Sequence, residues 1–284
     1  NIIPEQSKDT FMSRIFFVLL VLLHLGACTT TNTGKAFQFF EDDLIVDSLP
    51  YFEEGVKDGE RISALMLAMI YARDTHIPLD IKKAQQYFDE YLTMPSNIYD
   101  GTLSYHHPYV QAVILLEDAI TSNDVEANKL LRNSQYRTYS PVLTLLAENY
   151  AKGTGVQKNY SLSHKLYRKA IEHNDEAYVV QGYVRLLAAH PDDTYRGEID
   201  YLGLMPDLDD IDENYEFTYH DVKAAALARE GRYALAVKEQ DIAIQKISRK
   251  LEIYPYYQQW LERYIERKGF YLEERPWDYV EDKG

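Results

Sequence analysis

The sequence predicts an all-α fold: an α-solenoid of helix-turn-helix repeats wound as a right-handed superhelix. Three observations predict it. ALMLAMIYARDTHIPLDIKKAQQYF (64–88) and LTLLAENYAKGTGVQKNYSLSHKLY (143–167) align at an offset of 79 residues, placing Tyr71 on Tyr150, Ile77 on Val156, Asp80 on Asn159 and Phe88 on Tyr167. Self-similarity at a fixed spacing marks stacked supersecondary units. Apolar residues recur at helical spacing, as in Leu143, Leu146, Ala147 and Tyr150, and alternating strand patterns are nearly absent.

The first element is an address. Met12, Ser13 and Arg14 form a short positive start, Ile15 to Leu25 is apolar apart from His24, and the small Gly26 and Ala27 precede Cys28. Residues 12–27 therefore read as a secretory signal. An apolar run of about 11 residues spans about 16 Å as a helix, too short for a bilayer core of about 30 Å. Leu25-Gly26-Ala27-Cys28 resembles the lipobox of bacterial lipoproteins. That resemblance implies cleavage before Cys28, acylation of Cys28 and anchoring in a lipid bilayer, and Thr29 after the cysteine resembles outer-membrane sorting in Gram-negative cells. Residues 1–11 read as an upstream extension foreign to the mature protein, and residues 28–41 as a tether.

The repeat body is expected over 42–190. Residues 51–64 read as a helix end, a Gly59 cap and a helix start. The 64–88 unit follows, with Asp74 and His76 where its counterpart has glycines. Half of the offset is close to one helix pair, and residues 106–134 supply the intervening pair, joined by a Ser-Asn-Asp turn. In the 143–170 unit, Gly153 caps the first helix in a left-handed conformation. Gly155 turns the chain, Val156 plugs the gap between helices, and Asn159 N-caps the second helix as Asp80 does earlier. Residues 170–190 end one helix and start another, with Asn174 at the cap.

Leu146, Tyr150, Gly153, Gly155, Val156, Tyr167 and Ala170 resemble the SEL-one-like repeat, a branch of the tetratricopeptide-repeat superfamily. The resemblance implies a groove that holds a protein or peptide. Some relatives bind penicillin, but those are stapled by disulfides, and this chain has one cysteine, so that activity is not carried over. Residues 191–217, with two prolines and many acids, read as an inserted loop. In 218–270, Ala224, Leu227, Gly231, Tyr233, Ala236 and Ala243 have tetratricopeptide-like spacing, and QQWLERYIERKGF (258–270) closes the stack with a polar outer face. Residues 271–284 read as a charged, frayed tail.

Composition narrows the function. A net charge of −15 over 284 residues opposes nucleic-acid binding, which needs a basic face, and polybasic attraction to lipid. A lone cysteine excludes an intrachain disulfide and a cysteine zinc cluster. Tyrosine is abundant, 25 against 10 Phe and 2 Trp, and suits helix interfaces because the ring is buried while the hydroxyl reaches a partner.

No motif points to a catalytic residue, a metal or a cofactor. YAKGTGVQKNY (150–160) is not a phosphate loop, because its glycines follow a helix and no strand precedes them. Asp210, Asp212, Asn214 and Asp221 echo a calcium loop, but Tyr215 takes the sixth place and Asp221 the twelfth, where glycine and usually glutamate belong, so the segment reads as solvated. His76, His106, His107, His164, His173, His190 and His220 form no His-Glu-x-x-His motif and read as surface or capping residues. Carboxylate pairs for glycoside chemistry meet only in space. The sequence thus predicts a periplasm-facing lipoprotein that acts as a protein–protein adaptor or assembly scaffold for an envelope protein. The competing expectation is an enzyme, or enzyme modulator, acting on peptidoglycan or exported polysaccharide.

Overall fold

A computed structural model describes residues 31–41, 44–73, 77–95, 106–118, 123–133, 138–173, 177–190, 200, 202–211, 213–252 and 257–278. Among them are twelve α-helices, two short 3-10 turns and no strand, so the fold is the all-α helical-repeat solenoid expected. The expected continuous body over 42–190 is divided, however. The chain separates into two compact units with a boundary between Arg137 and Thr138.

The first unit holds α1 (Asn32–Glu41), α2 (Ile45–Lys57), α3 (Arg61–Arg73), α4 (Ile81–Thr93), α5 (His107–Glu117) and α6 (Asp124–Leu131). Each helix packs on the next through α4, and α5 packs on α3, α4 and α6. The tether expected over 28–41 is replaced by helix from Asn32 onward. Ala36, Phe37 and Phe40 are buried, and Phe37 meets Phe52 edge to face at 5.3 Å. Three apolar residues on one face of α1 supply the burial that a solvated tether would lack. In α3, Ser63–Ala68 and Ile70–Ala72 are buried, the all-round burial of a helix enclosed by neighbours. In α4 only the Ala84–Phe88–Tyr91 stripe is buried, so α4 is an outer helix.

The second unit holds α7 (Ser140–Lys152), α8 (Tyr160–His173), α9 (Ala177–Ala189), α10 (Glu216–Arg229), α11 (Tyr233–Leu251) and α12 (Gln258–Leu272). The α7–α8 pair repeats α3–α4 down to single hydrogen bonds. Asp80 N–H donates to Tyr71 O at 3.0 Å, and Asn159 N–H to Tyr150 O at 2.8 Å. Arg61 Nε donates to Tyr91 O at 3.0 Å, and Ser140 Oγ to Ala170 O at 2.7 Å. Asp80 Oδ1 caps α4 through Lys83 N–H, and Asn159 Oδ1 caps α8 through Leu162 N–H. Ala68 and Ala72, with their counterparts Ala147 and Ala151, are fully buried, which lets the paired helices approach closely.

The turn residues behave as their chemistry requires. Gly153, Gly155 and Gly231 have φ of +84°, +63° and +75°, and Gly153 N–H closes α7 by donating to Asn149 O at 2.8 Å. Val156 is half-buried between the helices. Around Gly153 an added Cβ would meet nothing closer than 3.5 Å, and around the helical Gly269 nothing within 4 Å. Gly153→Ala should therefore lose about 1–2 kcal/mol through backbone strain alone, whereas Gly269→Ala should gain about 0.5–1 kcal/mol. Opposite shifts of the urea midpoint test this pair.

Two further expectations shift. Helix α10 begins at Glu216, so the irregular segment ends before 217 and its Leu202 and Met205 pack on the core of the unit. The expected frayed tail is folded at its start: Tyr271 and Trp277 are 1% and 4% exposed. A tryptophan so close to the last helix has too much apolar area to stay in water, and it buries beside Arg267, whose guanidinium lies 4.3 Å from its ring centre.

Candidate interaction surface

The residues singled out in the sequence divide into two groups. Cys28 and the signal lie outside the described residues. Gly153, Gly155, Val156, Asn159 and Gly231 all sit in turns between helices, where they shape the stack. Several tyrosines serve the core: Tyr71, Tyr91, Tyr167, Tyr183, Tyr219, Tyr257, Tyr264 and Tyr271 are each under a tenth exposed. The exposed tyrosine among the described residues is Tyr178 on α9, at 41%.

Four large apolar residues are exposed on the last helix hairpin, where α11 packs on both α10 and α12. Leu235 and Ile242, seven residues apart on α11, and Ile265 and Leu272, seven apart on α12, are all exposed. Residues at that spacing lie on one helix face. On α12 the buried stripe is Tyr264, Arg267 and Tyr271, so Ile265 and Leu272 project from a different face. A pair of large aliphatic side chains two turns apart is the usual anchor pattern for a helix or peptide docking alongside.

The same helices enclose a buried polar centre. Asp221 of α10, 1% exposed, accepts from Arg267 at 2.5 Å and Arg185 at 3.2 Å through Oδ2, and from Gln240 at 3.1 Å through Oδ1. Four helices, α9 to α12, are thereby tied to one carboxylate. Burial pushes the Tyr264 and Tyr271 phenols well above their ordinary range, and the Asp221 charge adds to the effect. Beside it, Glu239 of α11 accepts from His220 Nδ1 at 2.7 Å and pairs with Lys223 at 2.9 Å. The hydrogen bond from His220, then that from Lys223, lower the Glu239 pKa against the opposing effect of burial.

The centre was missed in the sequence, although a signal was present. Trp260, Tyr264, Arg267 and Tyr271 follow 4-3-4 spacing, so Arg267 stands on an apolar stripe, a place where a charge must be paired. The calcium-like spacing ending at Asp221 dissolves for the same reason. Asp221 lies inside a helix and is occupied by arginines, not by solvent.

His173 is exposed as expected and His76 lies outside the described residues, but other histidines need correction. His190 and His220 are 4% and 6% exposed, not at the surface. The His107 ring is 5.2 Å from Phe88, and His164 Nδ1 is 2.9 Å from the Tyr183 hydroxyl. Aromatic neighbours provide the apolar cover that a surface position would not. Burial lowers the pKa of His106, His107 and His164, with nearby arginines adding to it for the last two. A histidine depressed in the folded state binds its proton more readily when unfolded. Stability is therefore full above about pH 6.5 and falls as pH drops toward the folded values. The urea midpoint should decrease between about pH 7 and about pH 5.5, a window in which ordinary carboxylates barely titrate.

A family model, the Sel1 repeat, matches residues 62–90 and 141–175. These matches fall on the α3–α4 and α7–α8 pairs. No curated protein and no solved structure matches the chain.

Proposed function

We propose that the mature protein is a lipid-anchored, periplasm-facing adaptor that binds an envelope protein and catalyses nothing. The exposed hairpin carries this reading. Leu235, Ile242, Ile265 and Leu272 present large aliphatic side chains on the closing helices, where a stack built only for stability would end in a polar cover. Sel1 repeats generally mediate protein–protein interaction, and two are present. The anchor is proposed from Leu25-Gly26-Ala27-Cys28, with acylation of Cys28 and outer-membrane sorting expected from Thr29.

Changing Ile265 and Leu272 together to glutamate tests the binding surface, because both are exposed and the fold should tolerate the change. Cross-linking in native membranes should lose the partner captured by the parent chain, as expected when anchors each contributing at least about 2 kcal/mol are removed. An unchanged partner set would overturn the assignment. Mass spectrometry of the N-terminal peptide should show a diacylglyceryl Cys28, and an unmodified cysteine would remove the anchor. Turnover of a peptidoglycan or polysaccharide substrate by the purified protein, abolished by one carboxylate substitution, would establish the competing enzyme reading.

A further inference from the structure

The start of the fold has a consequence for how the protein meets the bilayer. Thr31 caps α1, its Oγ1 accepting from Gly34 N–H at 3.1 Å and its carbonyl from Lys35 N–H at 3.1 Å. Only Thr29 and Thr30 separate it from Cys28. Three peptide steps reach at most about 11 Å.

The start of α1 is also fastened to the turn between α2 and α3. Asn32 Nδ2 donates to Asp58 Oδ2 at 2.8 Å, and Thr33 N–H to Glu60 Oε2 at 3.0 Å. The Thr33 hydroxyl lies against both Glu60 and Ser63. Gly55 makes that convergence possible, since a Cβ there would collide with Ser63 Oγ and Thr33 Oγ1. With Phe37 and Phe40 buried behind them, these contacts leave α1 no freedom to act as a leash.

The edge so fixed carries Lys35, Lys57 and Arg61 against Glu54, Asp58 and Glu60 over residues 31–35 and 54–61. Those charges cancel in a chain of net −15, so this edge, unlike the protein as a whole, is not repelled by an anionic lipid surface.

We propose that the first unit sits directly on the bilayer surface, with the edge formed by the start of α1 and the α2–α3 turn facing the lipid headgroups. This rests on the anchor reading of Cys28. The partner is a lipid surface at fixed contact, and the helices of this unit stand with their α3–α4 turn about 20 Å farther from it, the length of a 13-residue helix.

The test uses the acylated full chain in vesicles of phosphatidylethanolamine and phosphatidylglycerol containing a headgroup-nitroxide lipid. Acylation consumes the thiol of Cys28, so a cysteine introduced by Lys57→Cys or Leu79→Cys becomes the labelling site for a fluorophore. Both positions are exposed and lie at opposite ends of α3. The label at 57 should be quenched several-fold more than that at 79. A flexible glycine-serine segment inserted between Thr31 and Asn32 should remove the difference, because the body is then free to move away. Equal quenching at 57 and 79 in an acylated chain, or a difference indifferent to the insertion, overturns the placement alone. An N-terminal peptide without lipid overturns the anchor reading and this placement with it.

Discussion

Arg267→Ala is expected to destabilise the second unit by about 3–5 kcal/mol, the range for removing one partner of a buried ion pair. Asp221 would keep its burial at 1% exposed while losing the 2.5 Å bond that compensates its charge. Arg185, at 3.2 Å and partly solvated, compensates less. The loss of the guanidinium over Trp277 adds to the cost by freeing the segment after α12. The transition of the second unit in urea reports the change. A companion variant, Asp221→Leu with Arg267→Met, should recover much of the loss, since apolar replacement of a buried pair is often neutral or better. A single-variant effect below about 1 kcal/mol would show that water reaches the carboxylate, contrary to the burial described.

Tyr167→Ala is the second large effect expected, a loss of about 3–5 kcal/mol for an emptied aromatic site. Tyr167 is 1% exposed and its ring centre is 5.8 Å from that of Tyr183. Gly182 is shaped to it: a Cβ there would approach the ring to 3.0 Å. The cavity left by alanine would be walled by helix backbone on α9, which cannot relax into it. Tyr167→Phe keeps the ring that fills the site and should lose no more than about 1 kcal/mol. Chemical unfolding of both variants separates filling from bonding. Equal effects would show that the hydroxyl, not the ring, is what α8 contributes.

The repeated core was legible because repetition doubles every signal. Asp80 and Asn159 cap their helices as their side chains suggested, and Tyr71 and Tyr150 accept equivalent backbone bonds. Gly153 and Gly231 take the left-handed conformation that a helix stop favours. Elements without a repeat partner were less legible. Nothing in TNTGKAFQFFE distinguishes a tether from a helix until Phe52 is brought beside Phe37. The buried centre is a matter of tertiary pairing: Asp221 and Arg267 are 46 residues apart, and each looks like a surface charge until the stripe around it is counted. His107 and His164 were misplaced for the same reason, since the rings that cover them come from other helices. The exposed apolar residues of the hairpin were hidden because leucine and isoleucine on a helix read as core unless the buried face is known.

The packing of each helix on near neighbours also bears on how the chain acquires its structure. The helix pairs in strongest contact are consecutive ones, and the bonds closing the second unit span 41, 46 and 48 residues. Such local topology costs little loop entropy before contacts form, which favours rapid folding. A hairpin such as α7–α8 can nucleate while the rest of the chain is still extended, and neighbours can then add in either direction. The enclosed helices α3 and α7 impose the opposite demand. Buried on nearly every side once folded, they expose apolar residues to other chains until their outer helices arrive, so the interval between emergence of α3 and docking of α4 is the one in which aggregation competes with folding.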